Sequence, residues 1–123
     1  MNDILIECVP NISEGRNLDV INSIVDSARQ IEGVKVLGCE PDSDYNRTVI
    51  TIAGDPASVT KGAYAIILKS LELIDMRSHS GNHPRMGAVD VCPFVPLSDN
   101  SMEYCVNSAK ELSKLIGVKV PHF

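Results

Sequence analysis

Ile74-Asp75-Met76-Arg77-Ser78-His79-Ser80-Gly81-Asn82-His83-Pro84-Arg85-Met86-Gly87-Ala88-Val89-Asp90-Val91-Cys92-Pro93-Phe94-Val95-Pro96 is the stretch around which this chain is organised. It follows an apolar helical pattern from Ala63 to Leu73 and runs into an apolar, strand-like segment from Ala88 to Val95. Gly81, Pro84 and Gly87 interrupt any regular pattern between them, so the middle reads as a loop held by two rigid elements, where side chains are best presented to a ligand. That loop carries His79, Asn82, His83 and Arg85. A histidine can take or give a proton near neutrality, and a guanidinium can grip a carboxylate with two prongs. The combination suits transfer chemistry on an acidic substrate, although loop histidines also commonly do no more than bond to backbone.

Working outward, Ile4 to Val9 is a short apolar run stopped by Pro10 and reads as a first strand, with Asn11 to Asn17 as the loop that follows it. Leu18, Ile21, Ile24, Val25, Ala28 and Ile31 recur at helical spacing, Asn17 or Ser13 is placed to cap that helix, and Gly33 stops it. Val34 to Cys39 is the second strand. Glu40 to Asn46 is an acidic, turn-rich connection, and Arg47 to Ala53 is a β-branched third strand. Pro56 suits the first turn of a helix reaching Ile74. After the loop and the strand to Val95, a capping cluster at Ser98-Asp99-Asn100-Ser101 precedes a helix from Met102 to Ile116, and Val118 to Phe123 begins another strand. The order strand, helix, strand, strand, helix, strand predicts an α+β, ferredoxin-like βαββαβ sandwich. Its sheet should be mainly antiparallel, with an additional C-terminal helix and short strand.

At 123 residues the chain is expected to form one domain, residues 1–123, large enough to bury about two thirds of its unfolded surface. A net charge of −5 with no Lys/Arg cluster argues against nucleic acid. No apolar run approaches the roughly 18 residues of a membrane helix, and the start lacks the basic head and apolar core of a secretion signal, so residence in the cytoplasm is expected. Cys8, Cys39, Cys92 and Cys105 lie far apart with no C-x-x-C pair and are expected as buried thiols. His79 and His83 stand four apart, a spacing that offers two metal ligands on a helix, but Gly81 and Pro84 argue against a helix there. No third ligand is evident, so no metal is expected.

Three words in this order resemble the amino-terminal subdomain of the formiminotransferase family. They are Glu7-Cys8-Val9-Pro10-Asn11-Ile12-Ser13-Glu14-Gly15, Asn46-Arg47-Thr48-Val49, and Gly81-Asn82-His83-Pro84-Arg85-Met86-Gly87-Ala88-Val89-Asp90-Val91-Cys92-Pro93-Phe94. The resemblance implies transfer of a formimino group from N-formimino-L-glutamate to tetrahydrofolate as co-substrate, in histidine degradation and one-carbon metabolism. It implies His83 as the catalytic histidine. Arg85 and Arg47 are then candidates for pairing with substrate or folate carboxylates, with an ordinary ion pair as the alternative for either; Glu40 stands where the family has an acidic residue and could orient His83 or a substrate amine, beside the plainer reading of a solvated acidic turn. Asn11, Ser13, Gly15, His79 and Asn82 are further candidate substrate contacts, the first three being equally plausible as turn and cap residues.

Asn82 departs from the family, which has Glu before the histidine, and this removes a charge that would tune the imidazole. The family continues into a second subdomain, and the expectation is that this chain supplies one wall of a cleft that either further chain, of which this is a fragment, or a partner chain completes. The alternative reading is a non-catalytic module that binds folate, an amino acid or a protein partner. An open sheet edge favours a homodimer.

Overall fold

The computed structural model describes residues 4–74 and 89–116. In chain order the elements are β1 (Ile6–Cys8), β2 (Asn11–Ile12), α1 (Leu18–Arg29), β3 (Val34–Asp42), β4 (Arg47–Gly54), α2 (Pro56–Leu73), β5 (Val89–Val91), β6 (Phe94–Pro96) and α3 (Met102–Ile116). Among the described residues six strand segments join one sheet, and every pairing within it is antiparallel.

β1 and β2 are one strand notched by a proline, as are β5 and β6. Cys8 lies opposite Ile52 and Asn11 opposite Val49, so the register along β4 is unchanged across Val9-Pro10. On the other side Cys8 faces Phe94 and Asn11 faces Val91, which sets Val9 opposite Pro93. Proline has no N–H to give to a ladder. The Ile50 N–H still donates to the Pro10 carbonyl at 2.9 Å and the Val9 N–H to the Pro93 carbonyl at 3.0 Å, but neither proline can return the bond. The Asn11 side-chain amide donates to the Val9 carbonyl at 3.2 Å, filling the acceptor that Pro93 leaves over. Counted this way the sheet order is β6/β5, β1/β2, β4, β3, the order of a ferredoxin-like split βαβ fold, with α3 added after its last strand.

Two strand boundaries differ from the sequence reading. Asn11 and Ile12 belong to the sheet rather than to a loop, because the register survives the proline. Glu40, Pro41 and Asp42 extend β3 rather than forming a turn, since β4 offers partners as far as Arg47. The expected strand after Gly117 lies outside the described residues.

The three described helices cover one face of the sheet. Asn17 caps α1 by accepting from the Asp19 and Val20 N–H groups, and Asp55 caps α2 by accepting from Ser58. Those Ser58 hydrogen bonds hold the Asp55 carboxyl below its ordinary range. Ile21, Ile24, Val25 and Ala28 of α1, Val59, Ala63 and Ile66 of α2, and Cys105, Ala109 and Leu112 of α3 pack with Ile6, Cys8, Ile12, Ile50 and Ile52 of the sheet. Each β4 residue on that face, Thr48, Ile50 and Ile52, is fully buried. Truncating one of the isoleucines to Ala removes packing worth about 2–5 kcal/mol.

Candidate functional site on the open sheet face

Strand residues alternate between faces, so Arg47, Val49, Thr51 and Ala53 of β4 turn away from the helices. Directly paired residues of antiparallel strands share a face. The register therefore gives this open face two rows. In one, Asn11, Val49 and Glu40 lie side by side. In the next, Arg47 is opposite Asp42. At strand spacings of about 4.8 Å, the backbones of Asn11 and Glu40 are roughly 10 Å apart with Val49 between them, and Arg47 is about 7 Å further along β4.

Glu40 owes its direction to a bulge. Val36 pairs with Ile52 and Gly38 with Thr51, so Leu37 is an extra residue in β3 and the alternation changes phase there. Val34 and Val36 before the bulge and Cys39 after it all pack on the core, which leaves Glu40 outward and exposed. A regular strand would have turned Glu40 toward the helices.

Arg47 is fixed from behind. The chain from Pro10 through β2 to Gly15 is buried throughout, and its last residues, the β2–α1 connection, lie against the β3–β4 turn. The Gly15 N–H donates to Asn46 Oδ1 at 2.9 Å, and Thr48 Oγ1 donates to the Glu14 carbonyl at 2.5 Å. Asn46 has φ 52, a left-handed conformation that Asn tolerates better than most residues. The Glu14 carboxylate turns to the start of α1, where Oε2 accepts from the Arg16 and Asn17 N–H groups at 3.0 Å each. Gly15 has no room for a side chain: a Cβ there would stand 2.3 Å from the Asp42 oxygen and 2.5 Å from the Arg47 nitrogen. On the surface the Arg47 guanidinium carbon lies 5.9 Å from the centre of the Tyr45 ring, within cation–π range.

Of the residues singled out from sequence, Asn11, Glu40 and Arg47 thus come together on one face. Ser13 and Gly15 are buried in the connection beneath Arg47. His79, Asn82, His83 and Arg85 lie outside the described residues. Sequence reasoning missed Asn46 and Thr48 as the anchors of that connection, and Asp42 as the partner position of Arg47. An Asn directly after an acidic turn was the available signal. No group of three or more His, Cys, Asp or Glu among the described residues could hold a metal ion, and no described helix is long and apolar enough to cross a membrane.

The four cysteines are free thiols, three of them buried and Cys39 partly so. Cys8 and Cys92 sit on the helix side of the proline notch with their sulfurs 3.4 Å apart. Burial, and then the neighbouring Cys92 sulfur, push the Cys8 thiol well above its ordinary value.

An α+β sandwich of ferredoxin-like order, helices on one face and an amide, a carboxylate and a guanidinium on the other, is the class of domain these observations define. The chain belongs to the formiminotransferase family: it matches the formiminotransferase domain, N-terminal subdomain, over residues 5–123. It is 49% identical to the glutamate formimidoyltransferase of Thermoplasma acidophilum over 92% of this chain and 37% of that protein. It is 47% identical to the formimidoyltransferase-cyclodeaminase of Dictyostelium discoideum over 94% of this chain and 22% of that one. With the glutamate formimidoyltransferase of Streptococcus pyogenes the identity is 44%, over 91% and 38%. The chain therefore spans between about a fifth and two fifths of the length of these relatives.

Proposed function

We propose that this chain forms one wall of a formiminotransferase cleft, acting in the cytoplasm on N-formimino-L-glutamate and tetrahydrofolate. The observation that carries the reading is the sheet face turned away from the described helices, where Asn11, Glu40 and Arg47 are collected by register, by a bulge and by a buried connection. Arg47 would pair with a carboxylate of glutamate or of the folate tail by charge-assisted bonds, Arg85 would do the same, and Glu40 would hold an amine. His79 and Asn82 would complete the contacts.

His83 is assigned the proton transfers. N5 of tetrahydrofolate attacks the formimino carbon, a tetrahedral intermediate forms, and the C–N bond to glutamate breaks. An imidazole accepts the proton lost from N5 and returns one to the departing glutamate nitrogen, both within its range near neutral pH. Val89, six positions after His83, is paired with Ile12 beside Asn11. A second wall supplied by further chain or by a partner, with a homodimer as one such arrangement, would complete the cleft.

The test is formimino transfer followed spectroscopically with both substrates, for the chain and its His83→Ala variant, alongside calorimetry with each substrate. Turnover that His83→Ala abolishes, with binding retained, supports the assignment. A rate that the substitution leaves unchanged overturns the role of His83. Binding without any turnover supports the non-catalytic alternative, and no detectable heat with either substrate rejects both.

A further inference from the structure

We propose that Cys8 and Cys92 form a dithiol site that a small peroxide converts to an intramolecular disulfide, closing the sheet at its proline notch. Their sulfurs are already 3.4 Å apart although the residues are 84 positions distant in sequence. A disulfide has its sulfurs at about 2.05 Å, so each thiol has to move by well under 1 Å. Pro10 and Pro93 withhold two ladder bonds beside the pair, which leaves the backbone there more room to adjust than an unbroken ladder would. Cys8 Sγ also contacts the Cys92 carbonyl at 3.9 Å, which keeps the two residues aligned. Neither sulfur reaches the open face, so the site is separate from the one assigned to substrates.

The chemistry balances with the peroxide as oxidant. One sulfur, as its thiolate, attacks a peroxide oxygen and the O–O bond breaks, giving a sulfenic acid and, after protonation, one water. The second thiol then attacks that sulfur, the S–S bond forms, and a second water leaves with the proton. Two thiols are oxidised by two electrons in all. Burial raises the Cys8 thiol and shields both groups, so the reaction is slow and selects an oxidant as small as hydrogen peroxide.

The experiment treats the folded chain with hydrogen peroxide, blocks remaining thiols with N-ethylmaleimide in denaturant, and counts and maps them by mass spectrometry. Free thiols should fall from four to two per chain, with tryptic peptide 1–16 joined to peptide 86–110. That second peptide holds both Cys92 and Cys105, so fragmentation, and a Cys105→Ser chain that still forms the link, assign the sulfur. A Cys39→Ser chain should behave like the unmodified one. The proposal is overturned if oxidation goes to sulfinic or sulfonic acid with no 8–92 link, if Cys105 carries the link, or if the losses map to Cys39. Because the mapping is made on the unmodified chain, a Cys8→Ser variant that fails to fold leaves the result readable.

Discussion

The Asn46 side chain and the Gly15 amide are joined by a 2.9 Å hydrogen bond across 31 residues, and through it the connection leading into α1 is tied to the β3–β4 turn. Asn46 immediately precedes Arg47, so the bond that shapes the turn also determines where the guanidinium leaves the sheet. Replacing Asn46 with Ala removes the acceptor and puts an ordinary residue at φ 52. The expected cost is about 2–4 kcal/mol, combining a buried amide left unpaired with a strained backbone. Asn46→Gly loses the same side-chain bonding but accepts the left-handed backbone, so urea unfolding should show it clearly less destabilised than Asn46→Ala; equal losses would show that the conformation carries no strain.

Gly15→Ala should be more severe than a surface glycine replacement. Its Cβ would meet backbone oxygen and nitrogen atoms of Asp42 and Arg47 at 2.3 to 2.6 Å, and backbone cannot swing aside as a side chain can. Overpacking of this kind costs about 1–3 kcal/mol or more. A midpoint in urea within error of the unmodified chain would contradict the close approach.

Thr48→Val keeps the shape of a fully buried side chain but deletes its donor to the Glu14 carbonyl. A loss of about 1–3 kcal/mol is expected, because the carbonyl stays buried without that partner. Thr48→Ser, which retains the hydroxyl, should recover part of the loss in the same unfolding measurement.

Alkaline pH should weaken the fold through Cys8. Its folded pKa is raised above the ordinary 9.0, so above about pH 9 the unfolded chain has released a proton that the folded chain still holds. Stability is therefore fully present below pH 9 and declines as pH rises, by at most about 1.4 kcal/mol per pH unit from this group. Cys39 and Cys105, raised by burial as well, act in the same direction. Denaturant unfolding between about pH 8 and 10 checks the slope; Cys8→Ala should flatten it, and an identical slope in that variant would remove Cys8 as its source.

For the assigned site, Arg47→Ala should weaken binding of the folate or glutamate carboxylate about tenfold or more, the scale of a lost charge-assisted hydrogen bond. Calorimetry on the folded variant reads this directly. Unchanged affinity for both substrates would leave the open face without its proposed cation.

The sequence was most legible where one period dominated. The helical spacing in α1, α2 and α3 and the alternation of Thr48, Ile50 and Ile52 with Val49, Thr51 and Ala53 were readable because the helices bury one face and leave the other open. Pro10 misled one strand boundary: proline signals a strand end locally, whereas here both neighbours held the register across it. The Leu37 bulge was invisible to periodicity, and with it the reason that Glu40 points outward. The anchoring of Gly15 by Asn46 was equally hidden, since a bond between distant residues leaves no trace in local spacing. Asn11, Glu40 and Arg47 were each identified, but their meeting on one face became evident only from the pairing of β2, β3 and β4.

The prolines at 10 and 93 look like natural places for the chain to accept an extra residue, as loops do. The unbroken phase on either side says otherwise. One residue inserted between Val9 and Pro10 would either exchange Asn11 with Ile12, turning an amide into the apolar core and an isoleucine out of it, or force a new bulge into the middle of the sheet. Length variation among natural variants of this domain should therefore avoid these two sites and gather in the exposed turn at Ser43 to Tyr45.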